Sequence, residues 1–160
     1  MEEPIKVGIA DLKVATNPAT MVTIGLGSCV AIALLDVTAK VGALIHIMLP
    51  DSEEVKNREN KAKFANTAIP LAVKNMMRFG ATKSRIIAKI AGGAHMFSFA
   101  GDDKISVGDR NVEAVKIALK NEGIKLRAEE TGGKVGRSVK FNIKTGKVYV
   151  KTMARGMIQI

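Results

Sequence analysis

Cys29 is the only cysteine in the 160-residue chain, and His46 is one of two histidines. A thiol beside an imidazole has one well-defined chemistry. The thiolate is a nucleophile, and the ring removes the thiol proton and later delivers one to a leaving group. Asp36-Val37-Thr38-Ala39-Lys40 lies between the two apolar runs that carry these residues. A hairpin turn centred between Val37 and Thr38 sets Cys29 directly opposite His46. Directly opposed residues of an antiparallel pair share a face, with Cβ atoms about 4.5–5.5 Å apart. A one-residue change in the turn breaks the pairing.

Gly25-Leu26-Gly27-Ser28 leads straight into the thiol. Gly27 and Ser28 are the candidate substrate-binding and oxyanion residues. Glycine admits backbone conformations closed to other residues and leaves room for a substrate, and amides near Ser28 and Cys29 can face the oxyanion of an attacked carbonyl. Thr23, six residues before Cys29 on a neighbouring strand, can orient the imidazole through its hydroxyl or its carbonyl, as the third member of a triad does. The same residues also fit a purely structural role: Cys29 as a small buried hydrophobe, His46 as a hydrogen-bonded core histidine, Thr23 as an ordinary strand residue and the glycines as a tight turn.

Other constellations are poorer. His95 is the second imidazole, and two histidines with one cysteine make an inadequate zinc site. Gly25-Leu26-Gly27 lacks the third glycine and the following helix of a dinucleotide fingerprint. Thr131-Gly132-Gly133-Lys134 lacks phosphate-loop spacing. No metal and no cofactor are expected, and the paired glycines are expected to form turns or the rim of a site.

The elements that must hold these residues follow from periodicity. Strands are predicted over Ile5–Ala10, Leu12–Ala15, Met21–Ile24, Val30–Leu35, Val41–Leu49, Arg85–Ala91, Ile124–Glu129, Ser138–Ile143 and Lys147–Thr152, the last two as a hairpin around Lys144-Thr145-Gly146. An amphipathic helix is predicted over Lys61–Phe79, with Phe64, Ala68, Leu71, Ala72, Met76 and Phe79 on one face and a kink or break at Pro70. A second helix is predicted over Asp109–Glu122, with Val112, Val115, Ala118 and Leu119 inward. Val30–Leu35 and Val41–Leu49 are apolar on both faces, which places them in a middle layer. The fold class is α+β: a single domain, 1–160, built as a three-layer α/β/β sandwich.

Composition bounds the rest. With 47% hydrophobic and 25% charged residues, the chain is globular rather than disordered or fibrous. One cysteine permits no intrachain disulfide and suits a reducing, cytoplasmic setting. The acidic start, Met1-Glu2-Glu3, is unlike a secretory signal. Met21–Leu35 is too short and too rich in glycine to insert in a membrane. A net charge of +10 suits an acidic partner. Nucleic acid is disfavoured, since aromatics are 4% and the cations are dispersed.

Five separated motifs then carry a resemblance covering nearly the whole length. They are Thr23-Ile24-Gly25-Leu26-Gly27-Ser28-Cys29-Val30; His46-Ile47-Met48-Leu49-Pro50; Lys89-Ile90-Ala91-Gly92-Gly93-Ala94 with Met96-Phe97; Gly108-Asp109-Arg110-Asn111; and Thr131-Gly132-Gly133 with Gly136-Arg137-Ser138-Val139. In this the chain resembles the CheD family of chemoreceptor glutamine deamidases. Glu130 before Thr131 is a mild departure from the family's aspartate. The resemblance implies an α/β/β sandwich similar to the catalytic domain of the cytotoxic necrotizing factor toxins, with Cys29 as nucleophile, His46 as general base and Thr23 as the orienting residue. It leaves His95 out of the mechanism. It implies conversion of glutamines in chemoreceptor cytoplasmic domains to glutamate, and hydrolysis of receptor glutamyl methyl esters by the same route. It also implies a partner, the phosphatase CheC. The alternative it carries is a regulatory binding module, monomeric alone, that associates with CheC and enhances dephosphorylation of the response regulator CheY.

Overall fold

The structure is a computed structural model that describes residues 3–96 and 106–160; Phe97 of the third motif lies outside them. Its centre is a mixed sheet in which every residue of β4 (Val30–Asp36) and β5 (Val41–Ile47) is buried. Strands β2 (Asp11–Thr16), β6 (Ile86–Gly92) and β7 (Lys125–Thr131) complete it in the order β2-β5-β4-β6-β7. Double burial follows from alternation. Val30, Ile32 and Leu34 of β4, with Val41, Ala43, Ile45 and Ile47 of β5, face one core; Ala31, Ala33, Leu35 and Leu44 face another.

The first core is closed by α1 (Ala65–Arg78) and α2 (Val107–Asn121). The second is closed by a sheet ordered β1-β3-β8-β9-β10, made from β1 (Ile5–Lys6), β3 (Thr20–Leu26), β8 (Arg137–Asn142), β9 (Val148–Thr152) and β10 (Gly156–Gln159). The described residues thus form an α+β domain with helices on one side of the middle sheet and a second mixed sheet on the other. Helix α2 is the crossover between the parallel strands β6 and β7.

Several expectations are corrected. The strand predicted over Ile5–Ala10 is reduced to Ile5–Lys6, because the chain must leave one sheet for the other before Asp11; Ala10 makes that passage at φ 58°. The strand predicted to Leu49 ends at Ile47. The first helix begins at Ala65, after a separate short turn over Lys61–Lys63, and runs unbroken through Pro70. Pro70 and Asn66 are both exposed, so the carbonyl that loses its donor lies on the solvent side. Phe79, predicted to face inward, is 57% exposed beyond the helix end. Strand β10 was not foreseen, since three of its four residues are exposed and it carries no alternating apolar signal.

The turn that sets the β4–β5 register is also displaced. Asp36 pairs with Val41, so the loop is centred between Thr38 and Ala39, and Ala31 rather than Cys29 stands opposite His46. The cause is the Asp36 carboxylate, which is wholly buried. Its Oδ1 accepts from the amides of Thr38 and Ala39 at 3.0 Å, while Lys40 closes the loop at φ 56° with its amide on the Asp36 carbonyl.

Asp36 Oδ2 also accepts from the Thr82 amide at 2.8 Å, and Arg85 pairs with the carboxylate. Burial pushes this carboxyl up, but the bonds from Arg85, Ala39 and Thr82 outweigh it and hold its pKa below the ordinary value. Asp36→Ala leaves several amides without an acceptor and is expected to cost about 1–3 kcal/mol, read as a lower urea midpoint at neutral pH. In the wild type the same contribution is present at neutral pH and is lost as pH falls through the folded pKa, below about 3.9. An unchanged midpoint in the variant would refute the assignment.

Candidate active site

Thr23, in the middle of β3, reaches across from the outer sheet to His46 on β5 in the middle sheet. Its neighbouring strand is therefore a facing one, not one hydrogen-bonded to the strand of His46. The Thr23 hydroxyl lies 2.7 Å from His46 Nδ1 and 2.7 Å from the Val7 carbonyl oxygen. A carbonyl can only accept, so the single hydroxyl proton goes to Val7 and the hydroxyl oxygen accepts from Nδ1–H. That fixes the tautomer: Nε2 carries the free lone pair. His46 is fully buried, and its Nε2 has no hydrogen-bond partner among the described residues. Burial lowers the pKa of the ring, so it is neutral at neutral pH.

Cys29 immediately precedes β4. The displaced turn moves the register by two residues, so the parity of the faces survives. Ala31 opposes His46 on the face toward the outer sheet, and Cys29, two positions earlier, packs against the same core. The relation is diagonal instead of direct. Cys29 is half-buried. Desolvation raises its pKa, opposed in part by its own backbone N–H, so the thiol, like the imidazole, is neutral in the free protein at neutral pH.

The loop before Cys29 is fastened through three successive carbonyls. Gly27 O accepts from the Ala94 amide at 2.9 Å, Ser28 O from Asn111 Nδ2 at 2.9 Å, and Cys29 O from the Gly93 amide at 2.8 Å. A trans peptide points its C=O and the following N–H in opposite directions. The N–H groups of Ser28 and Cys29 are therefore turned away from these anchors. Among the described residues, the amides of Gly27, Ser28 and Cys29 donate to no backbone carbonyl. The close approach explains one glycine: a Cβ on Gly92, which sits at φ 116°, would lie 2.3 Å from the Cys29 carbonyl oxygen.

The second glycine pair lies alongside the first. The Gly132 amide donates to Gly92 O at 3.0 Å, and the His95 amide donates to Gly133 O at 2.8 Å. Arg137, almost fully buried, donates to Gly132 O at 2.7 Å and to Gly92 O at 3.4 Å, and meets Glu130 at 3.4 Å. The same oxygen of Glu130, Oε1, is also paired with Arg155.

The structure thus joins Thr23 to His46 by a hydrogen bond and puts Cys29 on the same side of the middle sheet, two positions removed from direct opposition. His95 contributes a backbone bond to the neighbouring turn. Sequence reasoning quoted Asn111 and Arg137 within motifs but gave them no role. Asn111 carried a usable signal: it falls on the inward face of α2 with Gly108, Val115, Ala118 and Leu119, a polar residue at a core position. No group of three His, Cys, Asp or Glu side chains suited to a metal occurs among the described residues. No helix among them is long and apolar enough to cross a membrane.

Comparison with known proteins places the chain in a family. The family described as CheD chemotactic sensory transduction matches residues 48–152, starting just beyond His46. Curated relatives match nearly the whole chain. A protein of Syntrophomonas wolfei named probable chemoreceptor glutamine deamidase CheD is 49% identical over 157 residues, covering 98% of both chains. Proteins of the same name from Lachnoclostridium phytofermentans and Clostridium botulinum are 46% and 49% identical, each covering at least 97% of both chains. With a family match over most of its length and relatives this similar from end to end, the chain belongs to the CheD family.

Proposed function

We propose that this chain is a protein-glutamine deamidase, a hydrolase that converts glutamine side chains of chemoreceptor cytoplasmic domains to glutamate. One observation carries it: Thr23 presents His46 with its proton on Nδ1 and its lone pair free on a buried Nε2, on the same face as Cys29. The names of the relatives supply the substrate class.

Cys29 is the nucleophile. His46 Nε2 takes its proton as sulfur attacks the carboxamide carbon, forming the C–S bond and moving the π electrons onto oxygen. Gly27 and Ser28 form the substrate-binding and oxyanion side, with the outward N–H groups of Ser28 and Cys29 receiving the developing charge. On collapse the C–N bond breaks and the imidazolium protonates the departing nitrogen, releasing ammonia and leaving a thioester. Water, deprotonated by the same ring, attacks the thioester, the C–S bond breaks, and glutamate leaves with the thiol restored. A glutamyl methyl ester presents the same carbonyl with methanol as leaving group, so methylesterase activity belongs to the same site. The neutral pair agrees with proton transfer during attack rather than with a standing ion pair.

The whole chain, 1–160, acts as one cytoplasmic domain, monomeric on its own and similar in catalytic geometry to the cytotoxic necrotizing factor toxins. Its charge of +10 favours acidic partners, receptors and the phosphatase CheC among them. The test is intact-mass spectrometry of a receptor cytoplasmic fragment from the same host. Incubation with the wild-type chain is expected to add about 1 Da per modified glutamine, the mass change of amide-to-acid conversion through an acyl-enzyme. No gain on any receptor of the host would sink the proposal and favour a CheC-binding module that regulates dephosphorylation of CheY.

A further inference from the structure

We propose that Asn111 is a positioning residue for the thiol chemistry: its side-chain amide sets the direction of the Cys29 N–H and ties the nucleophile loop to the end of the strand that carries His46. This rests on the assignment of Cys29 as nucleophile above.

Strands β4 and β5 stay in register as far as Val30 and Ile47. Beyond that pair the two chains part. Met48 turns its amide to the Lys63 carbonyl at 2.9 Å, and the Gly27–Cys29 loop is drawn toward Gly93 and Ala94. Asn111 occupies the place where the ladder stops. Its Nδ2 donates to Ser28 O at 2.9 Å and to Met48 O at 2.9 Å. Both amide protons are used, one on each segment, and Oδ1 has no partner among the described residues, so the side chain is held through its nitrogen alone. Asn111 is completely buried. An ionised aspartate has no proton to offer, a serine has one and a leucine none, so no other side chain of this size makes both bonds.

The consequence is directional. Ser28 C=O and Cys29 N–H belong to one planar trans peptide, and anchoring the first against α2 turns the second to the opposite side. In the mechanism above the Cys29 N–H is one of the two donors that receive the developing oxyanion. The other two anchors come from residues held beside the same helix. A Cβ on Gly108, in the first turn of α2, would lie 2.4 Å from the Ala94 carbonyl oxygen, and the Gly93 and Ala94 amides hold Cys29 O and Gly27 O. Helix α2 thereby sets the whole loop, with Asn111 as the side chain that hydrogen-bonds both segments.

The test compares Asn111→Leu and Asn111→Ser with wild type in the full chain, each checked for folding by thermal melting. Two rates are measured: alkylation of Cys29 by iodoacetamide at its high-pH limit, and deamidation of a receptor cytoplasmic fragment with kcat and KM separated. Alkylation is a displacement at carbon that develops no oxyanion, so its limiting rate should stay within about two-fold, while kcat falls by about 100-fold or more with KM within about three-fold. If leucine prevents folding, the serine variant decides. Unchanged kcat in a folded variant overturns the proposal, and so does a loss of alkylation and kcat in equal proportion, which marks a merely structural role. Should Cys29→Ala leave deamidation intact, it is the nucleophile assignment that fails.

Discussion

Cys29→Ala is expected to bring receptor deamidation down to background, a loss on the order of 10⁴–10⁶ in rate, because every later step passes through the thioester. The half-buried position implies little structural penalty. The thiol packs at the edge of the outer core, and losing one sulfur there should leave the fold, and binding to receptor or to CheC, in place. The parallel measurement is therefore a pull-down with the same variant. Retained binding with lost mass conversion separates catalysis from partner function. Retained conversion would remove Cys29 from the chemistry altogether, and with it the acyl-enzyme route. Cys29→Ser is expected to be nearly as inactive, since a neutral imidazole deprotonates an alcohol far less readily than a thiol.

His46 should produce the second largest effect and the characteristic pH behaviour. His46→Gln removes the base and is expected to lower kcat by about 10³-fold or more. In the wild type the base is competent only when neutral, and burial puts its folded pKa below the ordinary value of about 6.5. Activity should therefore be full at neutral pH and fall as pH drops through that lowered value. The thiol titrates in the other direction: alkylation of Cys29 by iodoacetamide should rise with pH, with a midpoint above the ordinary thiol range. An alkylation midpoint near or below pH 7 would mean a standing thiolate–imidazolium pair and would overturn the neutral ground state.

The same ring contributes to stability with a definite sign. Its folded pKa lies below its unfolded one, so its contribution is complete above about pH 6.5 and is lost as pH falls from there. His46→Gln should flatten that part of the denaturation profile and leave the steeper loss from Asp36 at lower pH. Thr23→Val keeps the shape of Thr23 but leaves Nδ1–H without an acceptor and the tautomer unset. A fall in kcat of about 10–100-fold, with binding retained, is the expected result.

Much of this was legible in the amino-acid sequence because it depends on local pattern. The doubly apolar runs of β4 and β5 require neighbours on both faces, and the three layers follow. Thiol and imidazole chemistry follows from residue type. The side of the sheet that carries both Cys29 and His46 was also fixed, since an even shift in register preserves parity.

What the sequence could not decide were contacts made between segments far apart in the chain. The direct Cys29–His46 pairing failed because Asp36, through amides beside it and the Thr82 amide 46 residues away, moved the turn by one position. Pro70 failed to break α1 because the freed carbonyl faces solvent, and exposure is a property of the packed domain. The bond from Thr23 to His46 crosses between two sheets, and the clasp of Asn111 on Ser28 and Met48 spans 83 and 63 residues. Residue types and periodicity state which groups are present and which face they take. Only the closed fold selects, for each buried donor and acceptor, the one partner that satisfies it, and those selections set the tautomer of His46 and the direction of the Cys29 amide.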